Sequence, residues 1–90
     1  MIENLFPAGS VVSLEGAQKK LMIVGISVFS EDENTTYDYI GVPYPEGFIS
    51  SELMFLFNHA DIAQVHFLGF VDAEFQAFRA NVGKENSESK

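Results

Sequence analysis

Apolar and polar positions alternate near the start of the chain. In "SVVSLEG", residues 10–16, Val12 and Leu14 fall on one face of an extended segment and Val11, Ser13 and Glu15 on the other. "PAGS" before it and "GAQKK" after it are turn punctuation. From Leu21 to Phe29 the chain is then apolar at almost every position, the mark of a central strand with both faces covered. Gly25 in its middle predicts a bend or bulge. The polar run "EDENTT" predicts an exposed hairpin loop. In the third strand, "YDYIGVPY", Tyr37, Tyr39 and Gly41 share one face and Asp38, Ile40 and Val42 the other. Pro43 and Pro45 cannot donate to a ladder, so the strand ends there. After a "YPEG" turn and an ambiguous "FISSE", two more strands follow, "LMFLFN" and "QVHFLGF".

The period changes after Phe70. "DAEFQAFRANVG" places Phe75, Phe78 and Val82 at helical spacing, with Asp72 to cap the start and Gly83 the end. The predicted fold is mainly β with a C-terminal helix (α+β): a small, strongly bent antiparallel sheet or an SH3-like barrel of about five strands. A barrel is the first expectation, because closure removes exposed edges. An open sheet packed against the helix is the second. The predicted organisation is a single β-rich domain over 1–83, its helix at 72–82, with 84–90 a disordered polar tail.

Composition narrows the function classes. Ninety residues, 47% of them apolar and nine of them Phe, are enough for one small core. Acidic residues outnumber basic ones 13 to 5, for a net charge of −8. Nucleic acid and anionic membrane surfaces call for clustered Lys and Arg, so neither is expected as a partner; a basic protein is favoured. The absence of cysteine excludes disulfides and thiolate chemistry. The N-terminus does not read as a secretory signal, and the apolar run Leu21–Ile26 is too short to span a bilayer. A cytoplasmic location is the expectation.

The stretch "FNHADIAQVHF", residues 57–67, holds both histidines. One reading is a metal-dependent hydrolase centred on His59, Asp61 and His66. A catalytic zinc needs about three ligands converging on one point, and no HExxH spacing is present to supply them. The other reading is a turn: Asn58 caps a single helical turn, Asp61 lies near its positive end, Ile62 dips into the core, and His66 sits on the next strand. The second uses the same residues more economically. Ser10, Ser13, Ser27, Ser30, Ser50 and Ser51 offer nucleophiles, but no GxSxG elbow occurs. The carboxylates of Glu31, Asp32 and Glu33 fall in the predicted loop, and the glycines form no phosphate-binding pattern. Neither an enzyme nor a cofactor is therefore expected.

A binding module fits better. Tyr37, Tyr39, Tyr44 and Phe48 crowd around two prolines, and tyrosine is favoured at interfaces for its apolar body and polar tip. These four, with His59 and Asp61, form the candidate partner-binding set; the competing reading is that the rings are core and edge packing. The Phe75/Phe78/Val82 stripe closes the core or packs on a partner.

Three stretches, "PAGSVVSLEGAQKKLMIVG", "YDYIGVPYPEGF" and "FLFNHADIAQVHFLGF", together resemble the small bacterial proteins of the family called domain of unknown function 4176, over residues 5–78. The resemblance implies no known reaction. It does imply a Gram-positive setting, often beside genes for type VII secretion and for toxins with LXG domains. It points to an accessory adaptor or chaperone whose protein partner is a secretion component or an LXG-type toxin. Immunity against a neighbouring toxin is the alternative. Such a link is associational.

Overall fold

The computed structural model describes residues 5–88, with side chains through Val82. Five strands form one antiparallel sheet: β1 (Val11–Leu14), β2 (Leu21–Ser30), β3 (Thr35–Pro43), β4 (Phe55–Phe57) and β5 (Ile62–Phe67). A C-terminal helix, α1, spans Ala73–Glu88. The strand order is β4-β3-β2-β1-β5. The class expected from the alternation is therefore found: mainly β, five antiparallel strands, one terminal helix.

The sheet does not close into a barrel. β4 and β5 are consecutive in the chain yet occupy opposite edges, and no ladder joins them. In a flat sheet, four strand spacings would set these edges about 19 Å apart. The link from Phe57 to Ile62 covers at most about 17 Å when extended, and part of it is a compact 3-10 turn, His59–Asp61. The sheet must therefore bend strongly to be joined there. Closure fails because this turn fills the gap and β4 offers only three residues for pairing.

The bend has a local source in β2. Ile23 pairs with Gly41 and Gly25 with Ile40, so Val24 is an extra residue and the register shifts across it. A Cβ on Gly25 would lie 2.8 Å from the Ile40 side chain, which explains glycine there. The β2–β3 hairpin turns through residues 31–34, with Asn34 at φ 53, a conformation asparagine tolerates.

One face of the sheet carries the main core. Val12, Leu21, Ile23, Tyr39 and Phe57 pack there with Leu5 from the N-terminal segment and Val82 from α1. Asp72 caps α1 as expected, its Oδ1 accepting from Phe75 N at 2.9 Å. Gly83 does not end it: α1 continues to Glu88, past the predicted 72–82. A glycine inside a helix costs only about 1 kcal/mol, and the Lys and Glu around it are good helix formers. Residues 89–90 of the predicted tail lie outside the described ones. Arg79 anchors α1 by donating to the Leu5 carbonyl at 2.9 Å. No helix among the described residues is long and apolar enough to cross a membrane.

Candidate binding surface

The histidine stretch is a structural turn. Asn58 N donates to Asp61 Oδ2 at 2.9 Å, and Asp61 N donates back to the Asn58 carbonyl. The turn is tied to β3 in two places: Asp38 N donates to Asn58 Oδ1 at 3.0 Å, and His59 N donates to Asp38 Oδ2 at 2.9 Å. His59 Nδ1 lies 2.6 Å from the Tyr39 hydroxyl, while His66 Nε2 lies 3.2 Å from Ser13 Oγ on β1. The three side chains of the metal reading are thus each engaged with a different neighbour. Among the described residues no group of three or more His, Cys, Asp or Glu is placed to hold a metal.

Tyr39 is the centre of this arrangement and not a contact residue. It is 0% exposed, its ring packs against Phe57 at 5.4 Å between centroids, and its oxygen accepts from Phe6 N at 2.9 Å. The same oxygen thus joins the Phe6 backbone and the His59 ring. Burial pushes the Tyr39 hydroxyl pKa up from 10.0 to about 12. The unfolded chain ionises this group near pH 10, the folded one near 12. The associated stability, roughly 2–3 kcal/mol, is therefore complete below about pH 10 and lost as pH rises to about 12. Phenolate absorbance followed with circular dichroism is expected to show one of the three tyrosines ionising only as the fold is lost. Three phenolates appearing together in the folded protein would contradict this.

The other candidates are scattered. Tyr37 is half-buried and donates its hydroxyl to Glu33, which raises its pKa. Asp61 is exposed but committed to the turn. Phe48 is 66% exposed beyond the Tyr44–Gly47 turn. Of the helical stripe, Val82 enters the core, Phe75 lies under the Arg79 guanidinium at 4.9 Å and Phe78 stays exposed.

Tyr44, one of the six, lines a concave surface. Strand register sets a row across the sheet face opposite the main core: Phe67 pairs with Val11, Val11 with Met22, and Met22 with Val42. Residues directly opposite in adjacent strands share a face. An open cleft of about 590 Å³ lies along this row, with Val11 and Met22 beneath and Tyr44, Phe67, Lys20 and His66 around it. Tyr44 is 44% and Phe67 61% exposed. Lys20, Met22 and Phe67 were not legible as site residues, because the cleft forms only when β5 returns to pair with β1. Their one sequence signal is an apolar residue two places from a lysine.

A family model for a domain of unknown function (DUF4176) matches residues 5–78. The chain belongs to this family, as the three sequence stretches imply. No curated protein and no solved structure matches the chain.

Proposed function

We propose that this member of the DUF4176 family is a non-enzymatic, cytoplasmic protein-interaction module whose contact surface is the cleft between Tyr44 and Phe67. One observation carries the reading. Large rings are exposed beside an apolar row, while α1 and the Leu5 segment cover the other face of the sheet. Exposed apolar area with aromatic edges is what partner surfaces present. The specific role proposed is that of an accessory adaptor or chaperone for type VII secretion of toxins, supported by the gene setting implied by the family resemblance.

The test is affinity capture from the native cells, comparing the tagged protein with a Tyr44→Ala/Phe67→Ala variant. Both substitutions are at exposed positions, so the variant is expected to melt within a few degrees of the parent. The parent is expected to retain a stoichiometric secretion subunit or LXG-type toxin, and the variant to lose it. Equal capture by both proteins would reject the surface. Co-expression with a captured toxin then separates roles: an adaptor alters export, whereas an immunity protein protects the cell.

A further inference from the structure

The cleft also has an unusual charge. The chain has five Lys and Arg against 13 Asp and Glu. Of the described basic side chains, Lys19 pairs with Glu46 at 2.8 Å, and Arg79 is held by the Leu5 carbonyl and the Phe75 ring. Lys20 makes no ion pair among the described residues, and it lines the cleft together with His66. Among the described residues no carboxylate lines it. An acidic protein thus keeps a cationic corner beside its exposed rings.

The cleft also borders an open sheet edge. Among the described residues β5 has β1 as its only strand neighbour, and it contributes His66 and Phe67 to the cleft. Natural edge strands are commonly protected by lysine or proline, and "IAQVHF" has neither. An edge of this kind accepts an extended segment, whose backbone pairs with the strand while alternate side chains enter adjacent pockets.

We propose that the cleft takes an extended acidic–hydrophobic segment of a partner protein. A large apolar side chain lies over Val11 and Met22 between Tyr44 and Phe67, and a neighbouring carboxylate meets Lys20 and His66. This rests on the reading of the cleft as a protein-contact surface and adds the chemistry of the partner. The overall negative charge does not oppose it. At physiological salt, charges beyond about 8 Å are largely screened, so Lys20 dominates locally. Elsewhere the acidic surface repels the same segment, which directs it to this corner.

A library of random ten-residue peptides, selected on the full chain, tests the proposal, with labelled winners titrated by fluorescence anisotropy. The selected peptides are expected to place Asp or Glu beside an aromatic or large aliphatic residue. Lys20→Glu is expected to weaken them about five- to tenfold, as for an exposed ion pair turned repulsive. Added salt weakens them in the parent and not in that variant. Tyr44→Ala/Phe67→Ala abolishes binding. Peptides without acidic enrichment overturn the proposal, as does a selection that yields no binder to the folded protein. If Lys20→Glu leaves affinity unchanged while the aromatic variant loses it, the carboxylate assignment falls and the contact surface stands.

Discussion

Tyr39→Ala is expected to remove a large share of the domain's stability. A chain of this length has a total stability of roughly 5–13 kcal/mol. Removing a fully buried aromatic ring costs about 3–5 kcal/mol through lost burial and the cavity left behind. Here the ring is 0% exposed and packs against Phe57 and Phe6. Its hydroxyl also joins the N-terminal segment, through Phe6 N, to the turn after β4, through His59. Ala strands both partners in a half-buried setting, which adds to the loss. Tyr39→Phe separates the two contributions. It keeps the ring and removes only the oxygen, and is expected to cost about 1–3 kcal/mol in urea unfolding followed by circular dichroism. A Phe variant as stable as the parent would show that the hydroxyl joins nothing of consequence.

This position also shows what the residue pattern carries. Alternation places Tyr37, Tyr39 and Gly41 on one face of β3, and the pairing of Tyr39 with Phe57 and Gly41 with Phe55 agrees. Which face is the core cannot be read from β3, because Ile40 and Val42 make the other face equally apolar. The choice is made by Leu5 and Val82, distant in sequence, which pack on the tyrosine side. Tyr44, just past the strand end at Pro43, has the parity of Ile40 and Val42 and so falls on the side away from the core. The bulge at Gly25, the Asp72 cap and the turn at Asn58–Asp61 are legible because each depends on residues within a few positions. The cleft is not, since Phe67 joins Val11, Met22 and Tyr44 only through a β1–β5 ladder that itself carries register shifts. The open edge is equally non-local: it follows from a short β4 and a turn that bends the sheet without joining its ends.

The second large effect is expected at Gly69. A Cβ there would lie 2.5 Å from the Ala8 carbonyl oxygen and 3.2 Å from both Gly9 C and Ser10 N. All three are backbone atoms, so no side chain can rotate away and one of the two segments must move. Gly69 N also donates to Ser10 Oγ at 2.9 Å, and Ser10 is fully buried. The same short segment is pinned to β2, with Gly9 N donating to the Ile23 carbonyl at 2.7 Å and Ile23 N donating to Ser10 O at 2.8 Å. Moving it would strain these bonds and the seating of Leu5 in the core. Gly69→Ala is expected to cost about 3 kcal/mol or more, at the upper end for overpacking because a buried hydrogen bond is lost with it. Gly16→Ala is the control: its φ of +79 disfavours a side chain, yet nothing lies within 4 Å, so only about 1 kcal/mol is expected. Ser10→Ala, which removes the acceptor and adds no volume, should fall between them. Gly69 stands two residues after Phe67, and Gly9 lines the cleft. Gly69→Ala should therefore also weaken the selected peptides under conditions where the variant remains folded, whereas Gly16→Ala should not. Equal unfolding midpoints for Gly69→Ala and Gly16→Ala would mean that the crossing of residues 8–10 over Gly69 is loose, and that the wall of the cleft is not set by it.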